Sequence, residues 1–92
     1  MERLIKKHLL PVKRGKSFWV SSDLVYIRHL IIQTIANPDQ TEPHKDDNDK
    51  IVLKKNYSVE IGKHGYTKKS CYNVTVILDK NYKRLITAVP TP

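Results

Sequence analysis

Gly15-Lys16-Ser17 is a triplet with the residue types to hold a phosphate, and Lys13 and Arg14 stand directly before it. A nucleotide P-loop needs a further glycine five positions ahead of Gly15, after a strand and opening a helix. Position 10 is Leu10, and no strand is expected before it, so the nucleotide reading fails. Lys16 is left as a point charge able to sit on a phosphodiester. His8 follows Lys6 and Lys7. Cations beside an imidazole favour its neutral form, which is the form a general base needs.

The other histidines are His29, His44 and His64, and none of the four stands at a metal-ligand spacing such as His-x-x-x-His. No metal site and no cofactor are expected. His64 and Tyr66 lie in the basic stretch "GKHGYTKKS", where an imidazole could touch RNA and a phenol could stack on a base. His29 falls on the flank of a predicted helix, and His44 sits in an acidic stretch where solvation is expected. The single cysteine, Cys71, excludes an internal disulfide and a cysteine zinc site, and its place in a predicted strand reads as half-buried. Carboxylates gather only in residues 39–50, without the glycine and closing glutamate of a calcium-binding EF-hand loop. No Ser-His-Asp arrangement stands out.

Charge narrows the class of partner. The chain of 92 residues carries net charge +8. Residues 1–16 hold six Lys/Arg against one acid, and residues 51–84 hold eight against two. Residues 39–50 reverse this, with five acids against two lysines. A polyanion, most simply nucleic acid, is the natural ligand of such a surface. A basic face that docks an acidic protein is the competing reading.

The elements that must position these residues follow from periodicity. "ERLIKKHLL" at 2–10 predicts a short amphipathic helix stopped by Pro11, and residues 12–20 read as a loop. Ser21-Ser22-Asp23 offers N-cap oxygens to a longer helix in which Leu24, Ile27, Ile31 and Ile35 recur at helical spacing and Val25, Leu30 and Ile32 widen the stripe. Asn37-Pro38 ends it. Residues 39–50 are nearly devoid of apolar side chains and read as an exposed loop. The period then becomes two. "IVLKK", "YSVEI", "CYNVTVILD" and "RLITAVP" read as strands, with Tyr72, Val74, Val76 and Leu78 on one side and Pro90 as the final stop. In the last strand Leu85, Thr87 and Val89 share one face, and Ile86 and Ala88 the other. The expected class is α+β, with N-terminal helices packed on an antiparallel β-sheet meander in one domain over residues 1–92. No apolar run reaches membrane-spanning length.

The order "KKHLLP", "RGKSF", a helix ending "TIANPD" and a β-rich half closing on "LITAVPTP" resembles the bacterial EndoU-type RNase toxins of the barnase/EndoU/colicin/RelE group of folds. The resemblance spans residues 7–92. It implies a toxin domain from the C-terminus of a larger secreted or surface effector, as in contact-dependent growth inhibition, with Met1 an expression start on a fragment. It further implies delivery into a target-cell cytoplasm and neutralisation by a cognate, acidic immunity protein. The implied reaction is metal-independent cleavage of RNA, tRNA above all, by attack of the 2′-hydroxyl on phosphorus, leaving a 2′,3′-cyclic phosphate.

By that resemblance His8, Lys16 and Thr87 are the catalytic positions, with Lys16 steadying the phosphorane and Thr87 contacting the substrate from the last strand. Ser17 follows as the small hydroxyl; with Lys13 and Arg14, whose charge would hold the flanking backbone, and with His64 and Tyr66 of the basic stretch, it makes up the expected substrate-binding residues. The segment that would carry a second family histidine between His8 and Gly15 is missing, and Val89 replaces the aromatic before the last proline. Another group must then serve the second proton transfer, with His64 and Arg14 the candidates. A module that binds RNA without cutting it is the alternative.

Overall fold

The computed structural model describes residues 17–65 and 67–92. The order is β1 (Phe18–Trp19), α1 (Leu24–Ala36), β2 (Gln40–Pro43), β3 (Lys50–Asn56), β4 (Gly62–Lys63), β5 (Ser70–Cys71), β6 (Asn73–Asp79) and β7 (Leu85–Thr91). The strands form two antiparallel sheets, ordered β2-β3-β6-β7 and β1-β4-β5. The class is α+β. The strands divide between two sheets, where a single meander was expected, and the predicted helix over 2–10 lies outside the described residues.

α1 matches its sequence signals. Asp23 Oδ1 accepts from the amides of Val25 at 3.0 Å and Tyr26 at 3.3 Å, satisfying two of the donors that a helix start leaves free. Ile27, Leu30, Ile31 and Thr34 are buried, at the i, i+3, i+4, i+7 spacing of one helical face. That face lies on β3 and β6, over a core of Leu53, Val74, Val76, Leu78 and Ala88. Val25, 79 % exposed, and Ile32 stand off this face, so they do not widen the buried stripe as expected. Thr34 is buried in the middle of this packing. Its hydroxyl donates to Leu30 O at 2.8 Å, and Tyr57 Oη reaches the same carbonyl at 2.8 Å and Thr34 Oγ1 at 3.0 Å. Two hydroxyl protons serve three contacts, so two of the bonds form at a time. Burial pushes the Tyr57 phenol up, which keeps it a donor.

Four expectations are corrected. Residues 40–43 are a strand, β2, although all four side chains are exposed. An edge strand is held by its ladder to β3, from Gln40 on Lys54 to Pro43 on Ile51, and needs no apolar pattern. "YSVEI" is not a strand. It crosses from one sheet to the other, with Tyr57 N on Tyr72 O at 2.7 Å and Ile61 N on Cys71 O at 2.9 Å, and it leaves Val59 exposed. "CYNVTVILD" divides at Tyr72 between β5 and β6, so Tyr72 faces solvent and Cys71 is buried outright. Residues 18–19, read as loop, are β1.

In β7 the register shifts between Ile77, opposite Thr87, and Leu78, opposite Leu85. Ile86 is the extra residue of this β-bulge, and Leu85 packs on the core and leaves the face of Thr87 and Val89. Pro90 does not end the strand but sits inside it, opposite Val74. β7 is the last strand of its sheet, where a missing N–H is tolerated.

The two sheets meet where β1 and β4 pack against β7. Gly62 is the close point. A Cβ there would come 2.5 Å from Pro90 Cγ and 2.6 Å from Phe18 O. Gly62→Ala therefore forces backbone and a buried proline apart. We expect it to destabilise the fold by about 1–3 kcal/mol, the usual cost of overpacking, read as a lower urea midpoint.

Candidate functional site

With α1 on one face of the larger sheet, the alternate residues of its strands look the other way. The register aligns them in cross-strand rows. Asn56, Asn73 and Thr91 form one row; Gln40, Lys54, Thr75 and Val89 the next; Glu42, Val52, Ile77 and Thr87 the third. No helix among the described residues covers this face.

Two adjoining hollows indent it. The larger, of about 620 Å³, is lined by Asp39, Gln40, Lys54, Lys55, Asn56, Asn73, Thr75, Thr91 and Pro92. The smaller, of about 270 Å³, shares Lys54 and Thr75 with it and adds His44, Val52 and Ile77. The polar atoms are tied to one another. Asn56 Nδ2 donates to Asn73 Oδ1 at 3.1 Å, and Asn73 Nδ2 donates to Pro92 O at 2.8 Å. The hydroxyls of Thr75 and Thr91 lie 2.8 Å apart. Asp39 Oδ2 accepts from Asn56 N at 2.7 Å. Lys55 Nζ lies 3.7 Å from Asp39 Oδ1 and donates to Asn37 O at 3.0 Å, a cation on the carbonyl end of α1. Lys54 Nζ is 3.6 Å from Glu42. His44 is half-buried, and its Nδ1 accepts from Asp46 N at 3.1 Å.

The β4–β5 hairpin carries a second polar group. His64 N donates to Lys69 O at 2.9 Å, and Lys68 N to His64 O at 3.0 Å. Lys68 has φ of 57°, a left-handed conformation that closes the turn. His64 Nδ1 is 3.2 Å from Thr67 Oγ1, a hydroxyl that can donate to the ring nitrogen or accept from it. Lys68 Nζ rests 5.3 Å from the centre of the Phe18 ring. Phe18 pairs with Lys63, so Ser17 and His64 flank that pair at the same end of the ladder.

Of the expected site residues, Thr87 lies half-buried on the open face opposite Ile77, and His64 lies on the hairpin. No hydrogen bond among the described residues joins the two. His8, Lys13, Arg14, Lys16 and Tyr66 lie outside the described residues. Asn56, Asn73, Thr75 and Thr91 were not singled out from the sequence. The available signal was polar residues alternating with valine along β6, a strand flanked on both sides in the sheet.

No protein-family model matches the chain, and no curated protein or solved structure does.

Beside the hairpin, Ser70 Oγ donates to Glu60 Oε2, and Lys63 Nζ lies 3.4 Å from the same oxygen. The Ser70 bond first, and Lys63 after it, hold the Glu60 carboxyl below the usual glutamate range. The folded state thus gains from this group above the unfolded pKa and loses the gain as pH falls through the lower folded value. Ser70→Ala should bring the Glu60 titration, followed by carboxyl NMR, back up toward the ordinary glutamate value. An unmoved titration would remove Ser70 as the cause. Burial first, and Glu60 nearby, push the Cys71 thiol up, as fits a cysteine packed in the interior.

Proposed function

We propose that the chain is a metal-independent endoribonuclease of the bacterial toxin kind, with RNA, tRNA foremost, laid over the open face of the larger sheet. The observation that carries this reading is the uncovered face itself. Amides and hydroxyls stand in register across three adjoining strands, in a chain of net charge +8. Thr87, the position that the resemblance assigns to substrate contact, lies on that face.

In this reading the 2′-oxygen forms a bond to phosphorus as its proton passes to a general base, the place of His8. The P–O5′ bond breaks, and the 5′-oxygen takes a proton from a second group, for which His64 stands with its Nδ1 held by Thr67. Lys16 supplies charge to the phosphorane. An acidic immunity protein would compete for the same basic surface.

One feature favours binding without cleavage: no second histidine stands between His8 and Gly15. Incubation of the purified protein with total RNA in EDTA separates the two readings. Discrete fragments ending in 2′,3′-cyclic phosphate are expected, with His8→Ala, Lys16→Ala and His64→Ala each slowing their release by about 10²–10⁴-fold in a folded protein. Salt-sensitive retention of RNA with no product on long incubation would leave a binding module. Neither retention nor product would leave a protein-docking domain.

A further inference from the structure

The larger hollow is poor in unmatched charge, although the chain as a whole is basic. Its two ammonium groups are each met by a carboxylate, Lys54 by Glu42 and Lys55 by Asp39, and Lys55 is also held by the end of α1. A phosphate entering there meets cations already neutralised and the Asp39 carboxylate beside them. What remains open to a ligand is neutral. Asn73 has its orientation set by bonds at both ends of its amide, which fixes Asn56 with Nδ2 toward Asn73 and Oδ1 as an acceptor with no partner among the described residues. The paired hydroxyls of Thr75 and Thr91 use one proton between them and keep the other to donate. One fixed acceptor and one donor, in a hollow of about 620 Å³, suit a planar group with both kinds of edge.

We infer that this hollow is a nucleobase subsite, taking an unpaired base of single-stranded RNA with its ribose. The phosphates fall to cations outside it, among them Lys68 and Lys69 of the hairpin. The inference rests on the RNA reading above and adds a division of labour: the hollow selects the base and the hairpin supplies charge. Neutral hydrogen bonds in a site built to make them discriminate by leaving a partner unpaired when the wrong group enters.

The test is binding of labelled oligo(A), oligo(U) and oligo(C) over a range of salt concentrations, for the wild type and for Asn56→Ala, Thr75→Val and Thr91→Val. Thr91→Val keeps the strand shape if Asn56→Ala does not fold, and circular dichroism reports folding. The expected result is a preference among the three oligomers in the wild type. Each hollow variant loses about tenfold on the preferred oligomer, with an unchanged dependence on salt, because no phosphate contact is removed. Lys68→Ala and Lys69→Ala should instead weaken all three alike and flatten the salt dependence. Wild-type binding with no preference, or hollow variants that flatten the salt slope, would overturn the inference and leave the RNA reading intact. Absence of binding to every oligomer would overturn both.

Discussion

One helix lies over the two middle strands of a four-stranded sheet, and much of the structure follows from that limit. α1 spends its buried face, Ile27 to Thr34, on β3 and β6. Every residue of the larger sheet is thereby sorted. Leu53, Val74 and Val76 can be apolar because the helix lies over β3 and β6, and Ala88 because β1 and β4 pack against β7 and add Trp19 and Ile61 to the same core; the alternate residues must live with water or with a ligand. Amides, hydroxyls and paired charges on the second face are what such a sheet requires to stay in solution. They are also what a polar ligand requires to be recognised. The same constraint supplies the platform and its chemistry.

The buried face carries one polar exception, and it has a structural role. Thr34 sits in the middle of the helix–sheet contact, and its hydroxyl shares the Leu30 carbonyl with the Tyr57 phenol. Tyr57 is the first residue after β3, where the chain leaves the larger sheet for the smaller one. This bond therefore fixes the departure point of the crossing segment relative to the helix, which a purely apolar contact specifies less sharply. At the other end of the crossing, Gly62 lets β4 approach β1 and Pro90 closely. A hydroxyl pair at the start and an absent side chain at the end hold the small sheet against the edge of the large one. The basic hairpin is carried to its place by that attachment.

What was legible in the sequence is what local pattern can encode. α1 announces itself through a capping aspartate, a repeated isoleucine spacing and a terminating Asn-Pro. β6 announces itself through alternation, and β3 through the strand-like run "IVLKK". β2 does not, because an edge strand with four exposed side chains owes its existence to hydrogen bonds with a partner remote in sequence. The break at Tyr72 and the bulge at Ile86 are equally non-local, since each depends on which sheet the neighbouring residue joins. The candidate site divides along the same line. His64 and Thr87 could be named from motifs. The row of Asn56, Asn73 and Thr91 could not, because three strands bring those residues together and no window of sequence contains them all.

The distribution of charge then argues against treating the protein as a uniform basic surface. The acids at 39–50 look, in sequence, like an island apart from the lysines. In the fold, β2 and the residues on either side of it bring them to lysines: Asp39 meets Lys55, Glu42 meets Lys54, Asp47 meets Lys50, and Asp49 reaches Lys80 after the end of β6. Exposed pairs of this kind contribute little to stability, on the order of 0–1 kcal/mol each. Their larger effect is on the electrostatic field. They cancel the charge of one half of the larger sheet and leave the net excess to residues 1–16, to the hairpin and to the β6–β7 turn with Lys83 and Arg84. In the proposed RNA reading, a polyanion is drawn to these basic segments, and the open face of the sheet offers it hydrogen-bonding groups beside charges already paired. In that reading long-range attraction and short-range selection belong to different residues, and a chain this small would bind without making every contact a phosphate contact.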